Sequence, residues 1–242
     1  MAATWQRRIV HLPWGRLSVQ VAGEGPPLVL LHGLGGSGRY WAGIAPLLAE
    51  ARTLIAPDLA GFGRSDKPHL DYTRDFHVES MEGMLTALSL DGRFDIAGHS
   101  MGGILAALVA SRHPARVASL AIVASPFPRH QLRPYGMPTG FARRSIYGTV
   151  QRLLPLVSPL VRSPVFPREV IADYLRHTVD SYQKTSNALI WDPSVAEEFA
   201  TLDDALRGRP QLLLYSDEDT TIAGDNLQRW RAVLPHAEVV VM

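Results

Sequence analysis

The sequence predicts an α/β protein with a doubly wound, mostly parallel sheet, an antiparallel hairpin at its N-terminal end and an inserted helical cap. Three observations predict this class. The 242 residues, 46% hydrophobic and 19% charged, suit one sizeable globular domain. Short apolar runs alternate with helical stretches, as in a sheet covered by helices on both faces. A single internal stretch interrupts this alternation.

The strands and helices follow in chain order. Two short alternating segments, 8–10 and 17–21, flank a turn-like Pro-Trp-Gly and predict the hairpin. Six apolar runs are typical of strands buried on both faces: residues 28–31, 53–56, 94–97, 120–123, 212–214 and 239–241. Helices are predicted at about 40–50 and 75–90, and at 101–112 and 226–233.

The alternation stops after residue 125. Eight of the 18 prolines lie within 126–167, and a helical tract is predicted from 168 to about 189. We therefore predict a core formed by 1–125 and 200–242, without its last helix, and a helical cap over 126–199. The cap's first part, 126–168, holds seven arginines and no acidic residue. Arg129 or Arg133 is a candidate to hold a substrate carboxylate, although such arginines also simply solvate a proline-rich lobe.

Composition excludes several classes of function. The formal net charge of +1 provides no field for nucleic acid. The sequence has no cysteine, which excludes disulfides, thiolate metal sites and a cysteine nucleophile. Its apolar runs are far shorter than the roughly 18 residues of a membrane span, and no export signal is visible, so a cytoplasmic location is expected. No metal site and no cofactor are expected, and the oligomeric state stays open.

A strand-to-helix junction carries the main chemical motif. Gly98-His-Ser100-Met-Gly102 matches G-x-S-x-G between a predicted strand and a predicted helix. Small residues two before and two after the serine let the chain turn sharply there, and the Met101 N–H at the helix start can stabilise an oxyanion. The alternative is a glycine-rich helix start with Ser100 as an ordinary N-cap.

A second glycine motif has a competing interpretation. Gly33-Leu-Gly-Gly-Ser-Gly38 satisfies G-x-G-x-x-G after a predicted strand, and Asp58 ends the next strand. This is close to the fingerprint of a dinucleotide-binding fold. However, the motif lies behind a hairpin, and glycine loops form wherever backbone approaches something closely.

With both motifs, the sequence resembles the α/β-hydrolase family from Trp5 to Met242. His32-Gly33 resembles the family's HG loop, which implies that Leu34 supplies the second oxyanion-hole N–H. The loop from Asp58 to Asp66 resembles the family's D-x-x-G-x-G-x-S-D segment, in which Asp58 braces backbone. Ser216-Asp-Glu-Asp219 resembles the turn that carries the acid, which implies Asp219 in that role with Asp217 in reserve.

The sequence departs from this family pattern at the general base. A serine nucleophile needs a base to take its proton and to protonate the leaving group. His236 precedes the last predicted strand, and His113 lies about 20 Å along the helix that follows Ser100, so neither reaches the serine. The resemblance implies a histidine just after the last strand. We therefore expect a sequence truncated before that histidine; the alternative is a catalytically silent relative.

These residues predict a serine hydrolase that cleaves a small ester or related acyl substrate. A serine at the nucleophile position argues against dehalogenase and epoxide hydrolase chemistry, which uses a carboxylate. The resemblance leaves open carbon–carbon bond hydrolases of dienoate ring-cleavage products and perhydrolases. A non-catalytic protein that binds a small ligand or a partner is the alternative of another class.

Overall fold

The structure is a computed structural model that describes residues 4–128, 173, 176–219 and 224–242. Eight strands lie in these residues: β1 (Gln6–Leu12), β2 (Gly15–Ala22), β3 (Pro27–Leu31), β4 (Thr53–Pro57), β5 (Phe94–His99), β6 (Val117–Val123), β7 (Gln211–Tyr215) and β8 (Glu238–Val241). They form one sheet in the order β1-β2-β4-β3-β5-β6-β7-β8. The β1–β2 and β2–β4 pairs are antiparallel, and every other pair is parallel. The predicted fold class is confirmed.

Helices cover the sheet. They are α1 (Ala45–Leu48), α2 (Arg74–Ala87), α3 (Met101–Arg112), α4 (Val179–Leu189), α5 (Ser194–Glu197), α6 (Leu202–Ala205) and α7 (Asn226–Val233). α3 is buried without interruption from Met101 to Ala110, because it packs on β5 and β6 beneath other helices. Within the described ranges, no helix has the length and apolar character needed to cross a bilayer.

The segment after the first glycine motif differs from the predicted helix over 40–50. Residues Gly38–Ile44 form a 3-10 helix, and only Ala45–Leu48 are α-helical. Pro46 explains the break. Its nitrogen has no hydrogen to donate to the carbonyl of residue 42, but it fits the first turn of a new helix, where that donor is not needed.

The described part of the predicted cap packs against the core through α4. Thr178, with extended backbone, caps α4, and its side chain and that of Ser181 form a reciprocal capping box. The Ser181 hydroxyl also donates to the Gly61 carbonyl oxygen at 2.9 Å. The prediction of a helical tract from 168 was wrong for residues 176–178, because the Thr178 cap starts α4 at residue 179. Residues 129–172 lie outside the described part, so the boundaries 126 and 199 stay predictions.

A buried histidine joins α2 to α4. His77 is fully buried, and its Nε2 lies 3.0 Å from the Thr185 Oγ1. Burial lowers its pKa from 6.5 to about 3. Between about pH 6.5 and pH 3, His77 is therefore neutral in the folded protein but protonated in the unfolded chain. The contribution of His77 to stability is intact above that pH and is lost as the pH falls toward 3, by up to about 1.4 kcal/mol per pH unit.

We expect His77→Gln to flatten this acid-side loss of stability. The glutamine amide can still bond to Thr185, but it takes up no proton between pH 6.5 and 4. Urea unfolding at several pH values measures the slope, and His69→Gln, which changes an exposed side chain, is the control. An unchanged slope in His77→Gln would show that burial of this ring does not set the acid sensitivity.

Candidate active site

The glycine motifs meet at the point where the sheet changes winding direction. β3 lies between β4 and β5, so the chain leaves β3 toward one edge of the sheet and later returns on its other side. The loops after β3 and β5 therefore start side by side, at the carboxyl ends of neighbouring strands. Ligands of open α/β sheets bind at such a switch point.

Ser100 occupies a sharp turn between β5 and α3. Its φ of 54° and ψ of −125° lie in a region that non-glycine residues rarely adopt, at a cost of about 1–3 kcal/mol. The Ser100 N–H donates to the Val123 carbonyl oxygen at 2.9 Å. The Ser125 hydroxyl donates to the Ser100 carbonyl oxygen at 2.7 Å. These bonds to the end of β6 hold the strained turn in place.

The Ser100 side chain is half-buried and does not cap the helix. It makes no capping hydrogen bond to α3, and no other described residue bonds to its hydroxyl. Ser100 therefore occupies the N-cap position without the side-chain cap that an ordinary N-cap serine makes. The hydroxyl stands at the N-terminal end of α3, where the Met101 N–H has no acceptor within the helix.

Gly98 and Gly102 are required by the close approach of backbone segments. A Cβ on Gly98 would lie 2.0 Å from the Gly102 carbonyl oxygen, and a Cβ on Gly102 would lie 2.4 Å from that of Leu31. Both distances are far inside van der Waals contact. The start of α3 therefore packs directly on the ends of β3 and β5, as the motif predicted.

The loop after β3 lies against the serine. A Cβ on Gly33 would be 3.1 Å from the Ser100 Cβ, and the Gly36 N–H donates to the Gly33 carbonyl oxygen at 3.0 Å. Leu34 is thus inside a tight turn next to Ser100. The first glycine motif contacts the serine turn, which explains its close backbone approach without a dinucleotide.

His32 anchors this loop. Its Nε2 accepts from the Leu59 N–H at 2.9 Å, so Nδ1 carries the hydrogen and donates to the Gly33 carbonyl oxygen at 2.8 Å. Burial lowers the pKa of His32, which keeps the ring in the neutral form that this pair of bonds needs. Both ring nitrogens are occupied, so His32 braces the loop.

Asp58 also braces backbone. Its carboxylate is 2% exposed and accepts from the N–H groups of Gly38 and Arg64, both at 2.7 Å. One side chain therefore ties the 3-10 helix to the loop after β4. A carboxylate engaged in this way supports the bracing role that the resemblance implied.

Asp219 lies in the turn after β7, at the same end of the sheet as Ser100. Its negative charge adds to burial in raising the pKa of Tyr40, and it opposes the effect of burial on His99. The Tyr40 ring stacks on the His99 ring with centroids 4.6 Å apart. The charge of Asp219 therefore influences the pKa of both rings in this stacked pair, and one of the two, His99, is the neighbour of Ser100.

Sequence reasoning missed two of the residues around this site. Tyr40 falls in the predicted helix at 40–50 with no predicted role, and Ser125 is only the last residue of the first predicted core segment. Neither residue belongs to a motif, and no spacing in the sequence indicates that Tyr40 stacks on His99 or that Ser125 bonds to Ser100.

The histidines bonded elsewhere do not serve Ser100. His236 bonds to Asp203 at 2.7 Å, and His113 pairs with Glu82. Burial lowers the pKa of His99 to about 4, and its ring is stacked on Tyr40. None of the described histidines is hydrogen bonded to the Ser100 hydroxyl, and His130 lies outside the described residues.

The arginines predicted to hold a substrate carboxylate, Arg129 and Arg133, also lie outside the described residues.

A comparison with protein families decides the relationship. The model of the alpha/beta hydrolase fold matches residues 26–242. The chain belongs to the α/β-hydrolase family. The resemblance inferred from the two motifs is thereby confirmed, and the dinucleotide-binding interpretation of Gly33–Gly38 is wrong.

Individual α/β hydrolases are similar in sequence to part or most of this chain. The 2-hydroxymuconate semialdehyde hydrolase of Pseudomonas sp. strain CF600 is 32% identical over 201 residues, covering 80% of this chain and 64% of that protein. Lipase 1 of Psychrobacter immobilis is 27% identical, covering 92% and 70%. Other curated relatives, 39% identical over 122 residues, are spanned over only 35% of their length.

A solved α/β-hydrolase structure supports the same fold. The 2-hydroxy-6-oxo-6-phenylhexa-2,4-dienoate hydrolase from Rhodococcus sp. strain RHA1 superposes with a TM-score of 0.74 at 24% identity. The superposition covers 99% of this chain and 91% of that one. At this identity the likeness concerns the fold alone.

Proposed function

We propose that the protein is a serine hydrolase that cleaves a small ester or related acyl substrate, with Ser100 as the nucleophile. One observation carries the proposal: the strained backbone of Ser100 at the switch point, with a hydroxyl that no described residue engages. Strain of this kind persists only where surrounding structure holds it, and it concentrates at functional sites. An unengaged hydroxyl at a helix N-terminus is placed to attack a bound carbonyl carbon.

The oxyanion hole is assigned to the N–H groups of Leu34 and Met101. Attack by the Ser100 Oγ turns the substrate carbonyl oxygen into an oxyanion, which needs donors that are already in position. The Leu34 turn contacts Ser100, and the Met101 N–H begins α3. Removing one such donor typically costs about 10²–10³ in rate.

Asp219 is assigned as the acid that orients the base, with Asp217 in reserve. The base itself takes the Ser100 proton during attack and passes it to the leaving alcohol, after which water releases the acyl group from Ser100. The Met242 N–H donates to the Tyr215 carbonyl oxygen at 3.0 Å, and the Asp217 N–H donates to that of Met242 at 3.1 Å. The carboxyl end of β8 therefore lies beside the acid turn.

The second candidate is hydrolysis of a carbon–carbon bond in a dienoate. It is favoured by the name of the relative that is 32% identical, a semialdehyde hydrolase. This reaction uses the same serine and donors, but its substrate carries a carboxylate that needs a cationic partner. The candidates for that partner, Arg129 and Arg133, lie outside the described residues. We rank ester hydrolysis first because it needs no such partner.

The test uses the full-length protein and a series of p-nitrophenyl esters of increasing acyl length. Release of p-nitrophenol with saturation kinetics is the expected result, together with slow or absent cleavage of a dienoate that absorbs in the ultraviolet. Faster cleavage of the dienoate would replace ester hydrolysis by the second candidate. Binding of both compounds without turnover of either would favour the non-catalytic alternative.

A further inference from the structure

A buried carboxylate ties the predicted cap to the loop next to Ser100. Asp173 is 1% exposed. It accepts from the Ser37 hydroxyl at 2.7 Å and pairs with Arg39 at 3.3 Å and with Arg176 at 3.2 Å. A charge removed from water in this way is tolerated only when several donors satisfy it. Two of the three donors belong to the core, on the segment that follows β3.

Ser37 closes the loop that contains Leu34. It is 2% exposed, and its Oγ also accepts from the Arg39 N–H at 3.2 Å. Its carbonyl oxygen accepts from the Tyr40 N–H at 3.0 Å. His32 holds the near end of this loop, as described above, and Ser37 holds the far end. Ser37 is in turn held by a carboxylate that lies 136 positions further along the chain.

We propose that Asp173 is a positioning residue for the oxyanion hole. By holding Ser37, it fixes the far end of the turn and keeps the Leu34 N–H directed at the atoms that react at Ser100. This inference rests on the proposed function, since the direction of that N–H matters only if Ser100 attacks a carbonyl. Displacement of a catalytic group by about 1 Å can cost about 10²-fold in rate.

The proposal is tested in the full-length protein with Asp173→Ala, Asp173→Asn and Ser37→Ala. We expect kcat for p-nitrophenyl acetate to fall about 10- to 100-fold in Asp173→Ala and Ser37→Ala, with KM nearly unchanged. Asp173→Asn should lose less, because its amide oxygen can still accept from Ser37. Ser37→Ala removes a single hydroxyl and keeps the proposal testable if Asp173→Ala fails to fold.

Lys184→Met is the matched control. The Lys184 ammonium joins α4 to the core through the Leu70 carbonyl oxygen and the Asp71 carboxylate, away from the loop after β3. Its loss should leave kcat unchanged. Hydrogen exchange of the amides in 33–39 provides a readout that is independent of turnover, and we expect faster exchange there in Asp173→Ala and Ser37→Ala but not in Lys184→Met.

Several outcomes would overturn the proposal. Turnover that depends on Ser100 but not on Asp173 or Ser37 overturns this inference alone, as does unchanged exchange in 33–39. Exchange that rises across the whole sheet, together with a fall in kcat that follows the melting temperature, would show a purely structural role. Turnover that survives Ser100→Ala overturns the proposed function and this inference with it.

Discussion

Ser100→Ala is expected to lower the turnover of p-nitrophenyl esters by the full-length protein at least about 10³-fold, with little change in KM. The substitution removes the Oγ that, in the proposed mechanism, forms the bond to the acyl carbon. What remains is the rate that the oxyanion donors and binding alone can support. Steady-state kinetics of the purified variant and of the unaltered protein measure the ratio.

Two aspartates provide the matched comparison for this experiment. Asp219→Asn should lower kcat by about 10³-fold, because an amide no longer orients or stabilises a charged base. Asp217→Asn, two residues earlier in the same turn, should change it little. If Asp217→Asn is the more damaging variant, the acid is the reserve candidate. If both variants have equal and small effects on kcat, neither aspartate is the acid that orients the base.

Gly102→Ala is expected to destabilise the fold by about 3 kcal/mol, the upper part of the usual range for overpacking. The new methyl group would lie 2.4 Å from the Leu31 carbonyl oxygen and 2.7 Å from that of His32. Both are backbone atoms at the end of β3 that cannot turn aside. α3 must therefore move off the sheet, and the Ser100 turn moves with it. Urea unfolding measures the change in the free energy of unfolding, and ester turnover should be lost in parallel.

Gly43→Ala is the control, because it makes the same chemical change where there is space. Gly43 lies in the 3-10 helix after the first glycine motif, is exposed, and a Cβ there meets no atom within 4 Å. Alanine is favoured over glycine in helical backbone by roughly 0.5–1 kcal/mol, so this variant should be neutral or slightly more stable. A similar loss in both variants would mean that close packing at Gly102 is not the cause.

Local chemistry explains what the sequence could predict. Strands buried on both faces need continuous apolar runs, and the six predicted runs fall within β3 to β8. The serine turn needs small residues at two set positions, so Gly98 and Gly102 identify it without knowledge of the rest of the chain. The first and last residues of α3 and α7 were predicted correctly, and the serine motif marks the start of α3.

The remaining features depend on contacts between distant parts of the chain. Asp173 and Ser37 are 136 positions apart, and Tyr40 and His99 are 59 apart. Short polar and aromatic residues are common, and nothing in their local sequence specifies a partner. The 3-10 helix at Gly38–Ile44 is a different case. Pro46 lies inside the predicted helix at 40–50, and its missing N–H is a local signal for the observed break.

Covalent labelling of the full-length protein with a fluorophosphonate tests the central claim most directly. The phosphorus is attacked by the serine that the site activates and remains attached, so mass spectrometry of the digested protein identifies the nucleophile. We predict one adduct on the peptide that contains Ser100, which disappears in Ser100→Ala. Turnover of esters by a protein that is labelled at another residue, or is not labelled at all, would contradict the assignment of Ser100.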